Sequence, residues 1–253
     1  MKDLIELKGQ IRRLIDCGFV ASAEEALREL DLASDEASPL RELLGLSLRQ
    51  QERWTEAAAE FESAGLCGPI SLEAQFALAE CYLQIESRQA AHSILVFLAV
   101  QERLPEIILP NLAAKLGAVG EYNLALSICR QSAANDPDND QPLYGMAYYM
   151  NKLRYPAETI LPVVLRASEL SPEETVYRVA GAMLAERAGN PEQAFRLIRD
   201  LSLEQLAGLG CSRCLGRLLT LYDACGDRER PQLIRDIIAS RGPSSPGCRH
   251  DRE

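Results

Sequence analysis

The sequence predicts an all-α protein built of about seven helical hairpins that follow one another along the chain. One observation is a spacing of 34 residues at which small and large apolar residues recur. Another is that small residues, Gly45 and Ala57–Ala59, stand inside segments with a helical pattern, which indicates helices in close contact. A third is the polar segment Arg49–Arg53, which separates two such segments and is typical of a turn.

Three consecutive copies of this pattern begin at residues 38, 72 and 106. Small residues recur where the two helices of a copy must touch, and large apolar residues recur where they interlock. The matching residues are Leu44, Gly45, Leu48, Ala57, Phe61 and Ala64 in the first copy, Leu78, Ala79, Tyr82, Ala91, Leu95 and Leu98 in the second, and Leu112, Ala113, Leu116, Ala125, Cys129 and Ser132 in the third.

Weaker copies extend the pattern in both directions and define the predicted domains. Residues 1–37 are expected to form a degenerate N-terminal hairpin or cap, followed by an array of hairpins over residues 38–208. Residues 209–242 are expected to form a degenerate C-terminal hairpin or cap, because terminal repeats must present a polar outer face to water. Residues 243–253 lack periodicity and contain Pro, Gly and Ser, so a disordered tail is expected.

Two prolines interrupt the regular pattern. Pro110 and Pro162 fall inside predicted helices, and each removes one helical hydrogen bond. We therefore expect each proline to kink or shorten its helix.

The repeat resembles the tetratricopeptide repeat (TPR), a pair of antiparallel helices of 34 residues. The third copy is the most similar, because GEYNLALSICRQSAANDPDN, residues 120–139, looks like the second helix of the family with its Asp-Pro-x-Asn exit. The resemblance implies a right-handed TPR-like α-solenoid of about seven helical hairpins.

The resemblance also implies where a partner would bind. In the family, the first helices of successive repeats line a concave groove that holds a peptide or an amphipathic helix of another protein. Lysine and asparagine are nearly absent from the corresponding positions here, so the binding of heat-shock chaperone C-termini known for one branch is not expected. The predicted groove residues are Leu43, Leu46, Phe76, Ala77, Glu80, Asn111, Tyr144, Tyr148 and Met183.

Charge and hydropathy limit the other classes of partner. The net charge is −10, so attraction to nucleic acid is not expected. The longest apolar run, Ile94–Val100, is far shorter than the roughly 20 residues of a membrane helix. The first ten residues, MKDLIELKGQ, carry charges where the apolar core of an export signal would begin. A cytoplasmic protein that does not insert into membranes is therefore expected.

The eight cysteines raise the question of a metal or redox site. Cys211, Cys214 and Cys225 fall with Leu218 and Tyr222 at helical spacing, which favours a core stripe. A structural zinc site commonly needs a second Cys-x-x-Cys pair, and none is present. The other cysteines within the predicted helices are expected to be small buried hydrophobes: Cys17, Cys67, Cys81 and Cys129.

Three functional interpretations remain open from the sequence. The pattern favours a non-enzymatic scaffold or adaptor, without cofactor, metal or catalytic residues. A chaperone similar to those of bacterial secretion systems, which shield apolar segments of a client, is a sharper version of the same class. The alternative from another class is a metal or redox protein that uses the C-terminal cysteines.

Overall fold

A computed structural model describes residues 2–30, 32 and 37–241 of the chain. This part is all-α: it contains helices and turns but no β-strand. None of its helices is both long enough and apolar enough to cross a membrane. The first helices along the chain are α1 (Lys2–Asp16), α2 (Val20–Arg28), α3 (Ser38–Gln50), α4 (Trp54–Cys67), α5 (Leu72–Gln84) and α6 (Arg88–Ala99), followed by a short 3-10 helix, Glu106–Ile108, and α7 (Leu109–Ala118).

The remaining helices continue the same alternation. They are α8 (Tyr122–Asn135), α9 (Asp140–Lys152), α10 (Ala157–Leu170), α11 (Thr175–Arg187), α12 (Pro191–Ile198), α13 (Leu203–Gly208), α14 (Ser212–Ala224) and α15 (Glu229–Arg241). Successive pairs form the seven predicted hairpins, so the all-α hairpin architecture is confirmed.

Helix α13 was not predicted. It follows α12, which has only eight residues, and it occupies the chain between the sixth and seventh hairpins. Its start is fixed by a capping box. The Ser202 hydroxyl accepts a hydrogen bond from the backbone N–H of Gln205, and the side-chain oxygen of Gln205 accepts one from the backbone N–H of Ser202. These two hydrogen bonds satisfy N–H groups that an α-helix of this length would otherwise leave unpaired.

The turn inside each hairpin contains a residue in the left-handed backbone region, with φ between 60° and 88°. Such a conformation is easy for glycine and costs other L-residues roughly 1–2 kcal/mol. The first five of these residues are spaced by 34 positions, and the last two follow after 35 and 37. The seven residues are Gly18, Glu52, Glu86, Gly120, Arg154, Gly189 and Gly226.

The chain divides into two compact units, one up to Ile128 and one from Cys129 onward, and the division falls within α8. The predicted boundaries at residues 37/38 and 208/209, which separate the terminal caps from the array of hairpins, stay predictions. The predicted tail, residues 243–253, lies outside the described residues.

The core of the first unit contains the predicted contact between α3 and α4. Ala57 and Phe61 are fully buried, and Gly45 lies against the ring of Phe61. A Cβ atom placed on Gly45 would lie 2.7 Å from Cε1 of Phe61, closer than carbon atoms can approach. The small residue predicted at this repeat position is therefore required by packing.

In the second unit, Tyr222 connects three helices at the chain's last hairpin. Its side chain on α14 is fully buried, and its hydroxyl donates a hydrogen bond of 2.7 Å to the carbonyl oxygen of Ile198 at the end of α12. The guanidinium carbon of Arg230, on α15, lies 5.6 Å from the centre of the Tyr222 ring. The seventh hairpin, whose sequence matches the repeat least well, is thus packed through a large buried side chain.

The two prolines have different effects. Pro110 occupies the first turn of α7, where its missing N–H is tolerated, and α7 has only ten residues. Pro162 lies inside α10, which nevertheless runs through 14 residues. Helix α7 is short at Pro110, as expected. Helix α10 is not shortened at Pro162, and a kink there stays a prediction.

Glu24, on α2, is the nearly buried carboxylate at the centre of a polar cluster between the first two hairpins. Its Oε1 accepts a hydrogen bond of 2.7 Å from Arg53 Nη1 and lies 2.7 Å from Arg28 Nη2, and its Oε2 accepts one of 2.8 Å from Gln51 Nε2. Burial opposes its ionisation, but the hydrogen bonds from Gln51 and Arg53 outweigh burial. The pKa of Glu24 is therefore held below its ordinary value.

A lowered pKa predicts acid sensitivity. The unfolded carboxyl takes up its proton near pH 4.3, while the folded one resists protonation. The stability from Glu24 is thus present above that pH and lost as pH falls through the folded pKa. We expect Glu24→Gln to reduce the difference in unfolding free energy between pH 6 and pH 3 by about 1 kcal/mol. Urea denaturation at both pH values measures it, with Glu25→Gln as the exposed neighbouring control. Equal acid dependence in Glu24→Gln and wild type would contradict the assignment.

Candidate functional site: an apolar cavity in the second unit

A cavity of about 490 Å³ lies among the first helices of the last three hairpins, α9, α11 and α14. Two residues of α10 and the segment before α14 complete its wall. Such a volume is in the range of ligand-binding clefts, roughly 300–1,000 Å³. The lining residues are Tyr144, Ala147, Tyr148, Asn151, Ile160, Val164, Val176, Val179, Ala180, Met183, Leu184, Arg187, Leu209, Gly210, Cys211, Cys214 and Arg217.

Helical spacing explains why these residues share one surface. On α11, Val176, Val179, Met183 and Arg187 follow one another at steps of three or four residues, which places them on a single helix face. This face carries apolar side chains along most of its length and a cation in its last turn. The cavity is therefore apolar along α11 and polar at one end.

Two tyrosines of α9 form the aromatic part of the lining, and neighbouring rings hold them in place. The ring of Tyr144 lies 4.8 Å from that of Tyr177, centre to centre, and the Tyr177 hydroxyl donates to the carboxylate of Asp140. The ring of Tyr148 meets that of Tyr149 edge-on at 5.1 Å. Rings held by such contacts lose little side-chain freedom on binding, which favours their use as anchors.

The hydroxyl of Tyr144 is not an acid or base at neutral pH. Burial raises the pKa of Tyr144 to about 12. The tyrosine therefore stays neutral and offers the cavity an aromatic surface with a hydroxyl group, suited to contact with apolar side chains.

The polar end of the cavity is formed by two arginines. Arg187, in the last turn of α11, donates a hydrogen bond of 2.7 Å to Oδ1 of Asn151 in the last turn of α9. Arg217, on α14, lies 2.7 Å from Oε2 of Glu186, the residue before Arg187. Both guanidinium groups are thus held near the C-terminal end of α11.

Three of the predicted groove residues, Tyr144, Tyr148 and Met183, come together around this cavity. Asn151, Arg187 and Arg217 were missed, although each lies on the first helix of its hairpin, the helix that lines the groove in the family that the repeat resembles. The repeat pattern could therefore have predicted these three polar residues as part of the groove.

The predicted groove residues of the first unit are placed differently. Leu43, Leu46 and Ala77 are buried within its hydrophobic core, and Phe76 is also buried. The expectation that these side chains project into an open groove is corrected by their burial. Helix α1 takes part in this packing, because its Ile11 and Ile15 belong to the same hydrophobic core. Arg12 of α1 also pairs with Glu73 of α5, with Nη2 and Oε1 2.7 Å apart.

The two polar groove residues predicted in the first unit differ in burial and in their contacts. Glu80 is half-buried and holds Arg49 Nη1 at 2.9 Å and Lys115 Nζ at 3.5 Å, so it links α3, α5 and α7. Asn111 is exposed on α7. Whether either contacts a partner stays a prediction.

The cysteines follow the predicted core pattern only in part. Cys81 and Cys129 are buried as expected, and burial raises their thiol pKa to about 11 and about 12. The expectation of burial was wrong for the exposed Cys17, which follows α1, and Cys67, the last residue of α4. Both lie where a helix ends and its apolar face no longer meets a neighbour.

The C-terminal cysteine stripe is likewise interrupted. Leu218 and Tyr222 are fully buried, but Cys225 is exposed at the end of α14. Cys211 and Cys214 are half-buried at the cavity wall, and the Cys211 sulfur accepts from the Cys214 amide at the start of α14. Over the described ranges, which leave out Cys248 and His250, no three His, Cys, Asp or Glu side chains are placed together to hold a metal ion.

No protein-family model matches the sequence, and comparison with curated proteins finds no similar chain. Solved structures, however, are similar. A TPR protein from Parabacteroides merdae is 17% identical, with 96% of this chain and 94% of that chain covered and a TM-score of 0.57. The C-terminal part of a TPR protein from Cytophaga hutchinsonii is 9% identical, with 94% and 96% covered and a TM-score of 0.66.

A third similar structure is YrrB, described as a TPR protein with an unusual peptide-binding site. It is 12% identical, with 70% of this chain and 94% of that chain covered and a TM-score of 0.58. At these low identities the similarity concerns the fold. The chain has the TPR-type all-α fold, as its repeat pattern predicted.

Proposed function

We propose that this chain is a non-catalytic protein-binding scaffold of the cytoplasm, and that the cavity between α9, α11 and α14 holds an apolar segment of a partner protein. The observation that carries the proposal is the position of Tyr144, Tyr148 and Met183 around one open apolar cavity. The peptide-binding site of YrrB, which has a similar fold, supports this type of function.

Packing in the remainder of the second unit strengthens the proposal. Other large side chains there, such as Tyr222 and Ile198, are buried against neighbouring helices. Tyr148 and Met183 instead remain half-buried at the cavity, and Val176 is 43% exposed. Aromatic and aliphatic groups left accessible at a cleft are typical of a surface that buries a partner's side chains.

The partner can be trapped by a photo-reactive amino acid placed at Val176, which lines the cavity. The same amino acid at Glu158, an exposed position on α10 outside the cavity lining, is the control. The proposal predicts one cross-linked peptide segment, rich in apolar residues, at position 176 and none at position 158. Equal labelling at the two positions would place the interaction outside the cavity.

The affinity of the trapped segment then tests the aromatic anchor. We expect Tyr148→Ala to weaken binding by about 2 kcal/mol, roughly 30-fold, because a buried aromatic anchor dominates the affinity of such interfaces. Tyr155→Ala, a change of the same type outside the cavity lining, is expected to leave affinity unchanged. Fluorescence anisotropy with the labelled segment measures both, and unchanged affinity in Tyr148→Ala would contradict the proposal.

The same experiment separates an adaptor from a chaperone. An adaptor holds one segment of one folded partner, whereas a chaperone of the secretion type binds apolar segments that its client later buries. Recovery of such client segments at position 176 would favour the chaperone. The described residues contain no group of His, Cys, Asp or Glu side chains that could hold a metal ion. Neither the metal nor the redox alternative is proposed.

A further inference from the structure

The charged residues of the cavity lining have one sign. They are Arg187 and Arg217, and no Asp or Glu side chain belongs to the wall that the described residues form. One carboxylate, Glu186, lies behind Arg217 and orients it without lining the cavity. Each guanidinium has five N–H donors in a rigid plane, so the single contact that orients it leaves other donors for a ligand.

One of the two arginines, Arg187, is also close to an apolar anchor along its own helix. Met183 and Arg187 are separated by four residues on α11, or about 6 Å along the axis. The whole lining face of α11, from Val176 to Arg187, spans about 16 Å, which is the length of three helical turns. The cavity therefore offers three turns of apolar surface that end at a pair of cations.

From this arrangement, and resting on the proposed function, we infer that the occupant is an amphipathic helix that carries an Asp or Glu side chain one turn away from its apolar anchors. The apolar side chains of that helix pack between Tyr148 and Met183. Its carboxylate lies against Arg187 and Arg217, where a planar guanidinium can form two parallel hydrogen bonds to it. The anion replaces water on two cations that are already oriented by Asn151 and Glu186.

Charge complementarity also predicts which helices bind the cavity weakly. A helix with Lys or Arg at the same place brings a third cation to the arginine pair, and like charges at such a contact disfavour binding. A helix with an uncharged residue there keeps the apolar contacts but lacks the ion pairs. The inference thus predicts an order of affinity: acidic, then neutral, then basic.

The test uses a displayed library of helical peptides with a fixed stripe of Leu and Phe and with the polar positions randomised among Glu, Gln and Lys. We expect selection on the full-length protein to enrich Glu at the positions one turn from the stripe. The best peptide is then synthesised together with its Glu→Gln and Glu→Lys forms. We expect the Glu form to bind at least 10-fold more tightly than the Lys form, with a difference that shrinks as salt rises.

Variants of the protein assign the effect to the arginine pair. Arg187→Gln combined with Arg217→Gln is expected to abolish the preference for Glu, whereas Arg196→Gln, an exposed arginine of α12 outside the lining, retains it. Helix content by circular dichroism shows that each variant is folded. Equal binding of the three peptide forms to wild type overturns the inference and leaves the scaffold proposal standing. Failure of the whole library to bind overturns both.

Discussion

Gly45→Leu is expected to lower the free energy of unfolding by about 3 kcal/mol. The reason is overpacking, because a Cβ atom at Gly45 meets Cε1, Cζ and Cδ1 of Phe61 at 2.7–2.9 Å, and Phe61 is fully buried. The ring has no free space into which to move, so the two helices of the hairpin must separate. Urea denaturation, monitored by circular dichroism, measures the change.

The hairpin offers a matched control in Gly65, on the partner helix α4. A Cβ atom there meets nothing within 4 Å, so Gly65→Leu is expected to be neutral or mildly stabilising. A double-mutant cycle of Gly45→Ala and Phe61→Leu measures the energy of the contact between positions 45 and 61. Leucine at position 61 leaves room for the methyl group of alanine at position 45. Equal destabilisation by Gly45→Leu and Gly65→Leu would show that the α3–α4 contact is not as close as the structure has it.

Tyr222→Ala is expected to cost about 3–5 kcal/mol. The substitution removes a fully buried ring and leaves a cavity between α12, α14 and α15. Tyr222→Phe keeps the ring and removes only the hydrogen bond to Ile198, so it is expected to cost about 1 kcal/mol.

Denaturation of both Tyr222 variants, with helix content as the readout, tests whether the last hairpin belongs to the cooperatively folded protein. If Tyr222→Ala were no less stable than Tyr222→Phe, the ring would not be buried as described. This hairpin also contributes to the proposed binding site, because α14 supplies Cys214 and Arg217 to the cavity wall.

The hairpins were predictable from sequence because their defining contacts are local. Gly45 and Phe61 are separated by 16 residues and belong to one hairpin, so a repeat position is enough to identify the contact. Helix α13 was missed, although Ser202 and Gln205 have the spacing of a capping box. The segment is short and falls at the end of the predicted array, residues 38–208, where the pattern predicts a connection between two hairpins and no further helix.

The candidate site was predictable only where neighbouring helices leave the groove-facing side of a hairpin's first helix uncovered. Tyr148 and Phe76 come from equivalent predictions, yet Tyr148 lines a cavity and Phe76 is buried. In the first unit, segments distant in sequence pack together, as the contact between Arg12 and Glu73, 61 residues apart, illustrates. A repeat position specifies which face of a helix a side chain occupies, but not whether a distant segment covers that face.

The left-handed residue in each hairpin turn has a consequence for how such a chain can change in length. The same backbone conformation recurs every 34 residues from Gly18 to Arg154, whether glycine, glutamate or arginine occupies the turn. Packing of the helices, not the turn residue, therefore enforces the geometry, since glutamate and arginine do not favour it on their own. Two such turns can therefore replace one another in the chain. A duplication or loss of the chain between Glu52 and Glu86 adds or removes one complete module and rejoins identical backbone geometry, so that growth by whole repeats requires no new turn.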